Sequence, residues 1–286
     1  MMKKLMASLI IFTIFYSTSV YAINYSYNAS IESKGSHKYK AVRLTPEVYN
    51  KVRKDMADIE LYDKDNEPVP YFINSFLESE VGSKTNYKKE YFVNSISPEF
   101  SGEERGNTTV LKIQGLKNLK LSSITLKTDD IFKRNVTFDG GTSKILYNLN
   151  FENAANSDLT IPLNSYKVTG DIAEIVIDNK DDKPITVREI EAKYIADELV
   201  FDGSKSDEYT LKFGNDEIHT PKNYDISNYK ELILKEGYDV LDIREIKGES
   251  SITSIKPQND YRLIFNITIS VISVVMGIIV FLKLKK

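Results

Sequence analysis

Ile172-Ala173-Glu174-Ile175-Val176-Ile177 reads as a β-strand, and Asp178-Asn179-Lys180-Asp181-Asp182-Lys183-Pro184 reads as the turn that ends it. Alternation holds at the start of the run and breaks where Ile175, Val176 and Ile177 stand together. That break predicts a strand buried on both faces. The same kind of run recurs to either side. Val110–Gln114, Ser123–Thr128, Asn135–Phe138, Ile145–Asn150, Leu159–Pro162 and Thr186–Tyr194 all fit short strands, parted by Gly, Asn, Asp and Pro. Strands at this spacing predict a β-sandwich.

Further out, Tyr39–Leu44, Ile59–Tyr62 and Val69–Ile73 read as strands of an earlier β-rich region. Pro46–Asp55 reads as a short helix, with Thr45 as N-cap and Val48, Tyr49 and Val52 on one face. Asp63-Lys64-Asp65-Asn66-Glu67 is a hairpin tip, and Pro68 and Pro70 favour an edge strand after it. Ser, Gly, Glu and Arg cluster at Ser101–Asn107, which marks a boundary. Glu198–Phe213 predicts a hairpin turning at Gly203, and Asn228–Glu236 a short helix or strand. The fold class expected is mainly β: an N-terminal β-rich domain over 23–104, then a sandwich with an appended hairpin over 105–247.

Both ends of the chain point to a membrane. Lys3 and Lys4, the apolar run Leu5–Tyr16 and the small residues up to Ala22 have the order of a signal peptide over 1–22. Leu263–Leu282 carries no charge and, as a helix, spans about 30 Å, the thickness of a bilayer's hydrocarbon core. Lys283, Lys285 and Lys286 follow it, so residues 283–286 are expected in the cytoplasm and the bulk of the chain outside. Ser273 and Gly277 give that helix a small-xxx-small pattern suited to packing against another helix. The polar stretch 248–260 reads as a stalk.

Composition narrows the function classes. The net charge of −3 gives no field suited to nucleic acid, so no nucleic-acid partner is expected. Cysteine is absent, which removes disulfides and cysteine-rich zinc sites. The two histidines, His37 and His219, stand in no catalytic motif, and no GxSxG, HExxH or phosphate-binding glycine loop occurs. Asp63, Asp65 and Glu67 have alternate oxygen spacing but lack the glycine and distal glutamate of an EF-hand, so they read as a solvated turn. Asp58 reads as capping a turn and pairing with Arg53.

Three stretches carry a resemblance. They are Tyr39–Leu44 continuing through Pro46–Tyr49 and Asp55–Asp63 to Glu67–Tyr71; Ile131–Thr137 with Ser143–Leu146; and Tyr209–Asn215 with Pro221, Tyr224 and Asp225. Together they resemble a bacterial exported, membrane-anchored family catalogued as a domain of unknown function, number three thousand nine hundred and ninety-nine. Relatives tend to be encoded beside a large polytopic membrane protein, so the resemblance implies such a partner. The second stretch also looks like the galactose-binding-like jelly roll of discoidin type, whose ligands sit in loops at one end. Here those loops would include Asp129–Arg134, Asp139–Ser143 and Asn164–Asp171. The candidate ligand-binding residues are therefore Asp129, Asp130, Arg134 and Asp139. Structural Ca²⁺ is common in such modules, without assignable ligands here, and no other cofactor is implied. That fold usually places an aromatic near Ile145, often Trp, and this chain has no Trp. The function expected is a non-enzymatic interaction or assembly protein of the cell envelope. The alternatives are a surface carbohydrate-binding module and, behind it, an envelope-polymer hydrolase.

Overall fold

Period-two alternation dominates the chain, and the computed structural model is accordingly mainly β, with 53% strand and 8% helix. It describes residues 24–75, 93–151 and 154–248, and Lys283. The chain divides into two compact units, Met1–Gly248 and Glu249–Lys286. The expected signal peptide, the stalk beyond Gly248 and the expected membrane helix lie outside the described residues. Among the described residues no helix is long and apolar enough to cross a membrane.

The elements follow in chain order: β1 (Tyr27–Glu32), β2 (Tyr39–Arg43), α1 (Pro46–Tyr49), β3 (Glu60–Asp63), β4 (Tyr71–Asn74), β5 (Val93–Ile96), β6 (Phe100–Arg105), β7 (Thr108–Gln114) and β8 (Lys120–Lys127). Next are β9 (Phe132–Phe138), β10 (Thr142–Phe151), β11 (Ala154–Asp158), β12 (Thr160–Lys167), β13 (Ile172–Asp178), β14 (Glu189–Ile195), β15 (Glu198–Asp202) and β16 (Glu208–Phe213). A 3₁₀ turn (Asp225–Tyr229), α2 (Lys230–Glu236), β17 (Tyr238–Leu241) and β18 (Ile243–Gly248) complete it.

Four sheets result. One pair has the orders β18-β1-β16-β3 and β17-β2-β15-β4; the other has β11-β10-β9-β13-β7-β6 and β12-β8-β14-β5. Pairing is antiparallel apart from β17, which runs parallel to β2. Within the first pair Phe201 of β15 meets Tyr209 of β16 edge-on, with ring centroids 4.7 Å apart. Within the second, Phe138 of β9 and Tyr166 of β12 meet edge-on at 5.7 Å. One apolar cluster runs through both pairs, and a smaller one of Ala41, Phe72, Val200 and Ile233 lies under α2.

Several sequence expectations change in this frame. The Ser101–Asn107 stretch is the β6–β7 hairpin rather than a linker. Glu198–Phe213 does form two strands, but β15 pairs with β2 and β4 while β16 pairs with β1 and β3, so they are no hairpin. The chain crosses between facing sheets at Gly203, whose N–H donates to the Lys38 carbonyl. The strand at Ile172–Ile177 is not buried on both faces. Ala173, Ile175 and Ile177 face the core, while Glu174 and Val176 are half-buried on the outer side of an antiparallel sheet. Strands buried on both faces are instead β15, with Leu199 and Phe201 in the main cluster and Val200 under α2, and its neighbour β2, with Val42 and Ala41 divided in the same way. Tyr71 and Phe72 are likewise both buried, one in each cluster. Asn228–Glu236 is helical, and α1 ends at Tyr49, short of the expected Asp55.

Candidate functional site

The four residues expected to bind ligand do not come together. Asp129 and Asp130 precede β9 and Asp139 follows it. Seven extended residues hold these two groups about 23 Å apart. Each carboxylate is also in use. Asp129 pairs with Arg188. Asp130 accepts the Thr186 N–H at 2.6 Å, and its carbonyl accepts the Asn148 amide at 3.0 Å. Asp139 accepts the Tyr166 hydroxyl at 2.8 Å. Arg134 is buried and faces inward on β9. It donates to Asn179 Oδ1 at 2.5 Å and to the Lys183 carbonyl at 2.6 Å. Its guanidinium thereby pins the Asp178–Pro184 turn against the sheet.

The loop Asn164–Asp171 meets the first sheet pair. Lys167 Nζ donates to the Lys54 carbonyl at 2.6 Å. From the neighbouring loop, Asn118 Nδ2 donates to the carbonyls of Tyr49 and Val52 at 3.0 and 2.9 Å. That end of the second sheet pair is a junction inside the unit.

The buried ionisable groups are similarly committed to structure. Asp197 receives Lys120 Nζ at 2.5 Å, Ser75 Oγ at 2.5 Å and Tyr49 OH at 2.8 Å, which ties β8, α1 and the β14–β15 link together. Glu198 receives Arg43 at 3.0 Å and Tyr238 OH at 2.7 Å. Burial would raise the Glu60 carboxyl, but hydroxyls of Tyr25 and Tyr62 and the Lys222 ammonium hold it below the ordinary range. Asp58 shows the reverse. Burial pushes it up, although N–H groups of Arg53, Gly214 and Asn215 partly offset this. The expected Arg53–Asp58 ion pair is therefore a backbone contact, and the Arg53 guanidinium sits 3.4 Å from Asp55 instead. His37 Nδ1 lies 2.9 Å from Asp239, whose carboxyl is held far below the usual range by Lys40 and then by His37. Asp63 Oδ1 accepts the N–H groups of Asp65 and Glu67, as a turn-stabilising aspartate does. Among the described residues no cluster of His, Asp and Glu could hold a metal ion.

Among the described residues several large apolar side chains are exposed, three of them on or beside β10. Leu146 of β10 lies opposite Arg134, and Lys144 opposite Val136, so even-numbered residues of β10 point inward. That inward set is Lys144, Leu146, Asn148 and Asn150, of which only Leu146 is fully buried. The outward set is Ile145, Tyr147, Leu149 and Phe151. The strand is thus largely inverted: four of the five apolar residues over 145–151 face away from the core, Leu146 being the exception. Ile145 is 54% exposed and Phe151 57%. Ile131, 54% exposed, sits just before β9 in step with its outward residues. Part of the signal was present in the sequence as alternation over 147–151, but the run Ile145-Leu146-Tyr147 breaks it and alternation does not say which face meets the core. No family model, curated protein or solved structure matches the chain.

Proposed function

We propose that this chain is a non-enzymatic interaction or assembly protein of the bacterial cell envelope, exported by its first 22 residues and anchored by the helix at 263–282. The observation that carries the reading is the inverted strand β10. In its outward row Ile145 and Phe151 are more than half exposed and Tyr147 and Leu149 half-buried, and apolar surface of this kind is costly to leave in water and suits cover by another macromolecule. The second sheet pair is β-sandwich-like, which is compatible with a jelly-roll reading. Within that fold the working surface would be a sheet face, since the loop residues at both ends of β9 serve as internal ties.

The test compares the tagged full chain with an Ile145→Asp variant, each extracted from membranes in mild detergent, and separately each mixed with cell-wall fragments. Retention of one defined membrane component by the unaltered chain, lost in the variant, supports the assembly role. Saturable wall binding that free sugar displaces and the variant keeps would put the carbohydrate-binding reading in its place.

A further inference from the structure

We infer that the export leader is removed before β1 seats, and that the docking of Tyr25 then closes the cleavage site behind Ala22 to the peptidase. This rests on the export reading proposed above and adds the order of its two steps, cleavage and folding. The argument begins with the spacing between the expected cut and the first tied residue. A leader over 1–22 puts the cut between Ala22 and Ile23. Only Ile23 then separates the cut from Asn24, whose main chain is already bonded.

The ties on this segment are specific. The Asn24 carbonyl accepts Asn215 Nδ2 at 2.7 Å. The Ser26 N–H donates to the Gly214 carbonyl at 3.2 Å. Between them Tyr25 is 4% exposed, and its hydroxyl donates to the Glu60 carboxylate. Tyr27 opens β1, which lies between β18 and β16, and its ring stacks on Phe213 at 5.7 Å. The receiving end of β16 is itself held. Asp58 accepts the N–H groups of Gly214 and Asn215 at 3.1 and 3.2 Å. Gly214 has φ +81°, and a Cβ there would come within 2.6 Å of the Tyr27 ring, so the two segments touch with no room for a side chain. Residues 24–27 are therefore part of the sandwich.

The step itself is hydrolysis. The Ala22–Ile23 amide breaks, and water supplies a hydroxyl to the Ala22 carbonyl carbon and a proton to the Ile23 nitrogen. A peptidase that takes its substrate as an extended strand needs free main chain on both sides of that bond. On the carboxyl side the strand would be Ile23, Asn24 and Tyr25. The Asn24 carbonyl is occupied and Tyr25 is buried. Exposed tips are cut readily because their main chain is free, and here it is not. Cutting of the folded chain must wait for 24–27 to open, at a rate set by the population of that open form. A chain that folds first keeps Leu5–Tyr16, and with it a second apolar attachment.

The test compares three substrates of one purified signal peptidase in detergent. They are the folded, uncut full chain, the same chain with a six-residue Gly/Ser spacer inserted between Ile23 and Asn24, and a synthetic peptide of residues 5–30. The spacer moves the site away from the ties and leaves the fold untouched. Folding of both chains is checked by tyrosine fluorescence, there being no Trp. The expected result is similar cutting of peptide and spacer chain, with the unaltered chain slower by about tenfold or more. An unaltered chain cut as fast as the peptide overturns the inference and leaves the export reading standing. A spacer chain as resistant as the unaltered one also overturns it, because the obstruction then lies elsewhere than at 24–27. A peptide that is not cut removes the export reading, and this inference with it.

Discussion

Ile145 and Leu146 are neighbours on β10 and lie on opposite sides of the sheet, Leu146 fully buried and Ile145 more than half exposed. Their substitutions should therefore separate stability from assembly. Leu146→Ala is expected to cost about 2–5 kcal/mol, the range for emptying a packed core position. Ile145→Ser should change stability by no more than about 0.5 kcal/mol. Denaturant midpoints of the two variants give the comparison. A large loss in Ile145→Ser would mean that this face is already covered within the chain.

Arg134 illustrates how a candidate ligand residue becomes a tie. Its inward step on β9 and its two acceptors in the Asn179–Lys183 turn leave it no free direction toward solvent. Arg134→Ala strips Asn179 Oδ1 and the Lys183 carbonyl of a charged donor, and should destabilise by about 1–3 kcal/mol. Because Asn179 also donates to Thr109 Oγ1 at 2.8 Å, the loss should spread to β7. Hydrogen exchange would show faster opening at both Asn179 and Thr109. Unchanged protection there, with lost binding of a soluble ligand, would return Arg134 to the role of a ligand contact.

Strand positions were legible because burial on one side writes alternation into the sequence, as at Ile190–Tyr194 and Tyr209–Phe213. The strands that escaped reading are mostly edges. β6, Phe-Ser-Gly-Glu-Glu-Arg, has no buried residue and so leaves no apolar trace. β18, Ile-Arg-Glu-Ile-Lys-Gly, is similar. Partnering was illegible for a different reason. β15 and β16 are close in sequence, yet their pairing with β2, β4, β1 and β3 is decided by chain far away. The candidate residues are scattered for a related reason, since the extended strand β9 lies between Asp130 and Asp139 and holds them at its opposite ends.

Asp58 and Glu60 should leave opposite marks on the pH dependence of stability. The Glu60 carboxyl is lowered on folding, so the unfolded chain binds its proton more tightly. Its contribution is present above the unfolded value of about 4.3 and is lost as pH falls below it. The Asp58 carboxyl is raised, so the folded chain holds that proton more tightly. Stability then falls as pH rises from about 3.9 through the folded value. Urea midpoints between pH 3 and 7 test both signs. Glu60→Gln should flatten the acid loss, and Asp58→Asn should remove the decline on the rising side. The same slope in all three proteins would contradict these assignments.

The Lys120–Asp197 pair predicts how the two sheet pairs are coupled. Both side chains are almost fully buried, and Asp197 also holds Tyr49 of α1, so the contact joins elements from both pairs. Asp197→Ala leaves the Lys120 ammonium without its buried counter-charge and should cost about 3–5 kcal/mol. Tyr49→Phe removes one donor and one acceptor of the same network and should cost about 1–3 kcal/mol. Replacing both charges, Lys120→Met with Asp197→Leu, should recover most of the Asp197→Ala loss, because the penalty lies in the unpaired charge. If the network couples the sheet pairs, the unaltered chain unfolds in one transition by two probes, one reporting on each pair. Asp197→Ala should split that transition, and the double replacement should rejoin it. A single transition in all three would place the coupling in the continuous apolar cluster, not in the ion pair.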